Sequence, residues 1–231
     1  TAAGLRAIVG AELTIQPGGP GRPGRSDRSE NPRTSNVDAP TYPAHPTCLA
    51  LPVLCESADG YQNLCRLITR MKMRSPKGEG ALQLDELEGY TSGLVALAGR
   101  AALDGRRYGV GGLLDRLVGL FGRGSVYVEL QRHLRRNEER DNDALASLAA
   151  AFRVPTIATN GVRFATPASR PLFDVLTCIH HHTDLVSAGR RLAPNAERYL
   201  KAPAEMAALF RDHLDAVART ADLADRLRYT M

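Results

Sequence analysis

VYVELQRHLRRNEERDNDALASLAAAFRVPTIATNG, residues 126–161, is the stretch that decides the fold. Val126 to Leu130 reads as a strand, Asn137 to Phe152 as a helix, and Val154 to Thr159 as a second strand. A strand, a helix and a strand in so short a span form a β-then-α repeat, and such repeats predict a parallel sheet with covering helices.

The same alternation continues towards the amino terminus. Leu113 to Phe121 reads as a helix and Gly93 to Ala98 (GLVALA) as a strand. Ser57 to Met73 reads as a helix because Leu64, Leu67, Ile68 and Met71 recur at the i, i+3, i+4, i+7 spacing of one buried face, with Ser57 as N-cap. Leu49 to Cys55 and Leu5 to Ile15 are the remaining strands. An open doubly wound sheet and a barrel both satisfy this order.

Residues 16–47 interrupt the pattern with Pro, Gly, Ser and Arg and almost no large aliphatic side chains. Such a segment cannot bury enough to fold alone, so a solvated, disordered insertion is expected there. From Pro171 the chain reads as mainly helical, and Pro203 to Leu227 reads as one long helix with Met206, Leu209, Phe210, Leu214 and Val217 as its stripe. The expected division is a barrel-like portion at 1–170 and a helical linker at 171–231. The start at Thr1, without Met and directly in a strand, carries the expectation that an amino-terminal portion is missing.

Composition narrows the functional classes. The chain has 231 residues, of which 43% are hydrophobic, enough for an ordinary core. No run of 18 apolar residues and no signal-peptide pattern occurs, so a cytoplasmic protein without membrane contact is expected. Cys48, Cys55, Cys65 and Cys178 contain no CxxC pair, which argues against a zinc ribbon or a disulfide framework. A net charge of +5 is compatible with a nucleic-acid partner.

In parallel α/β sheets, chemistry gathers at the carboxyl ends of strands. Reading those positions gives Glu12, then Gly99 and Arg100, then Gln131 and His133, then Asn160, Gly161 and Arg163. A catalytic metal centre needs three or more protein ligands. Only Glu12 and His133 qualify, and the plainer expectation pairs Glu12 with an arginine and leaves His133 on the surface. His180, His181 and His182 cannot share one ion on a helix, since successive residues point about 100° apart. The GVGG string at 109–112 lacks the GK[ST] ending of a phosphate loop, and no nucleophile elbow or Cys–His pair is evident.

A resemblance adds to this reading. The strings Ile8-Val9-Gly10-Ala11-Glu12-Leu13, Gly60-Tyr61-Gln62-Asn63-Leu64-Cys65-Arg66-Leu67-Ile68, Lys77-Gly78-Glu79-Gly80, Tyr127-Val128-Glu129-Leu130-Gln131, Ala158-Thr159-Asn160, Asp174-Val175-Leu176-Thr177-Cys178-Ile179 and Asn195-Ala196-Glu197-Arg198-Tyr199-Leu200-Lys201 occur in order. Together they resemble the PHP domain of bacterial DNA polymerase III alpha subunits, in the error-prone branch that acts in damage-induced mutagenesis and translesion synthesis. The resemblance implies α/β architecture: an incomplete PHP-type distorted (β/α)7 barrel followed by helices leading toward a polymerase palm that is absent here.

In that family the strand ends bind divalent metals. Glu12 matches the family's glutamate and His133 its histidine, whereas Ala50, Arg100, Gly161 and Arg163 stand where His, Cys or Asp ligands are usual. The family's first His-x-His and Asp-His motifs would precede Thr1. The resemblance therefore implies a vestigial site without metal or catalytic residues, and magnesium, DNA and other mutagenesis or replisome proteins as companions of a full-length parent polymerase. Arg100 or Arg163 is expected within hydrogen-bonding reach of Glu12. The competing classes are an active metal-dependent phosphoesterase or 3'-5' exonuclease of the PHP type, and a stand-alone nucleic-acid-binding module.

Overall fold

The computed structural model describes residues 6–16, 48–77, 79–104 and 109–230. Apart from Gln16, the insertion expected at 16–47 lies outside the described residues. Six strands are described: β1 (Gly10–Gln16), β2 (Leu49–Cys55), β3 (Leu82–Gln83), β4 (Leu94–Ala98), β5 (Val126–Gln131) and β6 (Thr156–Thr159). The α-helices are α1 (Ala58–Met73), α2 (Gly112–Phe121), α3 (Glu138–Phe152), α4 (Arg170–His180), α5 (Pro203–Leu209) and α6 (Leu214–Arg226).

The strands form one sheet in the order β3-β1-β2-β4-β5-β6. β4, β5 and β6 run parallel, as do β1 and β3. β2 is antiparallel to both of its neighbours, β1 and β4, so the parallel expectation is corrected at this strand. An apolar run encodes burial but not direction, which is why the sequence could not reveal the reversal. The sheet remains open, with β3 and β6 as its hydrogen-bonded edges.

Strand alternation divides the side chains between two faces. Leu13, Ile15, Leu51, Val53, Ala96, Val126, Val128 and Leu130 meet Leu64 and Leu67 of α1, Leu114 and Leu117 of α2 and Leu145 of α3 in the main core. On the reverse face, Val95, Leu97 and Ile157 meet Leu223 and the following Leu227. β4 is buried along its whole length because both faces are covered. Its unbroken apolar sequence follows from that position.

The reversal at β2 brings Cys55 opposite Leu94. This places the start of α1 against the turn that enters β4. Ser57 caps α1 as expected, accepting a hydrogen bond from the Gly60 amide at 3.2 Å. Gly93, in the left-handed conformation at φ +70°, lies directly against Gly60. Asn63 reaches the same turn by donating to the Ser92 carbonyl at 3.0 Å. The Gly60–Leu64 string thus has a packing reason: only a bare Cα lets the helix approach the turn this closely.

The long helix expected over Pro203–Leu227 is two helices, broken at residues 210–213. The break lets Phe210 turn into the main core, fully buried, while Leu214 of the expected stripe is half exposed. α6 then guards the β6 edge: the Thr220 hydroxyl donates to the Ala158 carbonyl at 3.0 Å and accepts from the Ala158 amide at 3.2 Å. A side chain thereby satisfies backbone groups that an open strand would offer to another chain.

Three carboxylates connect these elements through arginines. Glu56 receives two hydrogen bonds from Arg226, Glu86 two from Arg74, and Asp212 is clasped by Arg132. In each case the guanidinium hydrogen bond holds the carboxyl below its ordinary range. A folded-state pKa below the unfolded value of about 4 stabilises the fold above that pH, and the contribution disappears as pH falls through the folded values. The urea midpoint is therefore expected to hold from about pH 8 to pH 5.5 and to decline steadily below about pH 5. A midpoint at pH 3 equal to that at pH 7 would show that these pairs contribute nothing to the folded state.

Candidate functional site

Beyond the reach of Leu223 and Leu227, the reverse face of the sheet is polar. Glu12 projects from β1, Glu129 and Gln131 from β5, and Thr159 from β6. Thr159 donates to Glu129 Oε1 at 2.6 Å. At the carboxyl ends of β5 and β6 the chain returns through residues 195–201 as a strap. Asn160 donates to the carbonyls of Glu197 at 2.9 Å and Tyr199 at 2.6 Å, Asn195 donates to the His133 carbonyl, and Arg163 N–H donates to the Arg198 carbonyl at 2.8 Å. The strap carries Arg198, which reaches Gln131 Oε1 at 3.5 Å. Burial, then the charges of Arg163 and Arg135, push the Arg198 guanidinium below its usual range, while Glu129 and Glu138 act in the opposite sense.

Two of the sequence-selected residues meet here. Arg163 Nη2 lies 3.8 Å from Glu12 Oε1, an ion-pair separation longer than a hydrogen bond, with side chains 22% and 41% exposed. Arg100 is not part of this pair. It opens a 3₁₀ turn after β4, and its guanidinium meets Asp141 of α3 at 2.8 Å. Ala50 is exposed on β2, paired in register with Thr14, and its methyl group offers no donor atom. Gly161 has φ +48°, and a Cβ there would come within 3.1 Å of the Gln131 amide. The site is thus built for a glycine at this position.

His133 departs from the surface position expected of it. It is buried, with Nδ1 3.1 Å from Glu138 Oε1 and Nε2 3.0 Å from the Asn160 carbonyl oxygen. Glu138 also accepts from the His133 amide at 2.6 Å and the Arg135 amide at 3.2 Å. Burial raises the Glu138 carboxyl, but these hydrogen bonds outweigh it and leave the group below its usual range. The imidazole works as a brace between α3 and the end of β6.

The sequence reading passed over Arg132 and Arg198. Arg132 is buried beside His133, donating to Asp212 and Glu139 at 2.6 Å and to the Leu209 carbonyl at 2.7 Å, with its guanidinium over the Phe210 ring at 5.1 Å. Its partners lie 7 to 80 positions away in sequence, so no local spacing could have signalled it. Arg198 was visible only inside the 195–201 string.

The donor set does not fit a divalent metal centre of the kind the PHP family carries at its strand ends. Glu12 faces a guanidinium, both ring nitrogens of His133 are already engaged, and Ala50 and Gly161 supply no ligand atom. Among the described residues, no group of three or more His, Cys, Asp or Glu side chains is arranged to hold a metal ion. No helix among them is long and apolar enough to cross a membrane.

A family model describing the PHP domain matches residues 1–133. An error-prone DNA polymerase of Rhodopseudomonas palustris (strain BisB5) is 39% identical over 186 residues, 80% of this chain and 16% of the relative. Error-prone DNA polymerase 2 of Agrobacterium fabrum is 34% identical over 171 residues, 74% of this chain and 15% of the relative. An error-prone DNA polymerase of Anaeromyxobacter dehalogenans (strain 2CP-C) is 35% identical over 198 residues, 82% and 16% respectively. The matched part is about a sixth of the length of these relatives.

Proposed function

We propose, from the premise that this chain belongs to the PHP domain family, that it is the non-catalytic PHP portion of an error-prone DNA polymerase. The carrying observation is the exchange of ligands for arginine charge: Arg163 stands against Glu12 where the family has a metal ligand, and His133 is committed to Glu138 and Asn160. Clustered carboxylates need a countercharge, and a guanidinium supplies it without coordinating anything. It also repels an incoming divalent cation. The open α/β sheet, of PHP type, acts in this reading as a scaffold.

The rest of the reading concerns a longer, cytoplasmic polypeptide of the relatives' kind. Its substrate is DNA, and its work is replication, damage-induced mutagenesis and translesion repair synthesis beside other replisome or mutagenesis proteins. Magnesium at a palm site in that polypeptide supplies the chemistry of nucleotidyl transfer. Nothing in residues 6–230 takes part in that step in this proposal.

The purified chain is expected to hold no stoichiometric Zn or Mn by elemental analysis, to hydrolyse no aryl phosphate, to leave a primer unextended, and to keep its melting temperature in a chelator. One tightly bound metal ion per chain, accompanied by chelator-sensitive phosphatase or exonuclease activity, would overturn the proposal in favour of a PHP phosphoesterase.

A further inference from the structure

The apolar stripe of α4 faces outward. Leu172, Val175, Leu176 and Ile179 stand at i, i+3, i+4 and i+7, with Leu172 and Ile179 each 64% exposed and Leu176 55%. The inward side of the same helix is the more polar one: Thr177 and Cys178 are buried, Asp174 pairs with Arg170 at 3.4 Å, and Phe173 provides a ring contact to Phe164. Isolated exposed leucines are ordinary on any protein, but four apolar side chains in register on one helix face form the stripe by which a helix docks. Leu185 and Val186, just beyond the helix, are exposed as well.

We propose that this face of α4 is the seam against the polymerase body that follows in the longer polypeptide; this rests on the reading given under Proposed function. Three observations select that occupant. The stripe carries no charge, whereas a nucleic-acid surface requires lysine and arginine to neutralise phosphates. A single face of an 11-residue helix is small beside the roughly 800 Å² per partner of a stable separate-chain interface. A seam within one polypeptide needs less area, because covalent linkage supplies a high effective concentration. About five-sixths of the length of the relatives lies outside the matched part, so a large body is available to cover the face.

The test is maleimide labelling of Leu176→Cys, read by peptide mass spectrometry in the 231-residue chain and in the full-length gene product, with native Cys65, exposed on α1, as internal reference. The introduced thiol is expected to label rapidly in the chain and at least roughly tenfold more slowly in the full-length product, about 1.4 kcal/mol of protection. Equal rates in the two proteins overturn the seam. Slow labelling in the 231-residue chain overturns it too: persistence on dilution assigns the cover to this chain, and loss on dilution assigns it to a second copy. Primer extension by the same full-length product separates the two readings. Extension without protection removes the seam and leaves the polymerase reading standing, whereas protection without extension shows the face covered by the rest of the polypeptide but overturns both the polymerase reading and its body as the occupant.

Discussion

Gly60→Ala is expected to destabilise the chain by roughly 3 kcal/mol, near the upper end for overpacking. In an exposed helix interior the same substitution would add up to about 1 kcal/mol of stability, because alanine loses less backbone entropy than glycine. Packing reverses the sign. A Cβ on Gly60 would fall on the Gly93 carbonyl oxygen, well inside van der Waals contact, and the obstacle is backbone that cannot swing aside as a side chain would. Gly93 cannot retreat easily either, since it occupies φ +70° with Ser57 and the Gly60 amide against it. For a chain of this size the loss corresponds to a fall in Tm of about 6–12 °C. Gly119→Ala on α2 is the control, because a Cβ there meets nothing within 4 Å; it should be neutral or slightly stabilising. If the two variants share one denaturation midpoint, the close approach of α1 to the β4 turn is wrong.

Phe210→Ala is expected to cost about 3–5 kcal/mol, the range for removing a fully buried aromatic side chain. The ring fills the main core from the carboxyl-terminal helices and also lies under the Arg132 guanidinium, so truncation opens a cavity and loosens the Arg132–Asp212 clasp together. Phe210→Leu keeps most of the volume and should lose less than about 1.5 kcal/mol. Equilibrium urea unfolding measures both. A Phe210→Ala midpoint within experimental error of the parent protein would mean that residues 203–230 are not secured to the sheet.

The two substitutions lie at opposite ends of what the sequence could disclose. Gly60 belonged to a string whose order pointed to the PHP family, yet its physical reason appears only when Gly93 is placed against it. Phe210 read as one apolar position among five on a continuous helix. Its burial depends on the break at residues 210–213, which gives Phe210 a different direction from Leu214.

By itself the sequence determined the alternation of strands and helices, the buried face of α1 with its Ser57 cap, and the family. All of these rest on interactions within a few residues or on a period of 2 or 3.6, and periodicity records which side chains share a face. Tertiary structure alone decided the reversed direction of β2, the burial of His133 between Glu138 and Asn160, the choice of Arg163 over Arg100 as the neighbour of Glu12, and the outward turn of the α4 stripe. Each depends on what a face meets once the chain has folded. Arg100 and Arg163 look equivalent as cations after strands, but a 3₁₀ turn aims the first at Asp141 while the pairing of residues 163–164 with 198–200 brings the second to Glu12. The approach distance of two charges far apart in sequence is set by that pairing, and no local pattern encodes it.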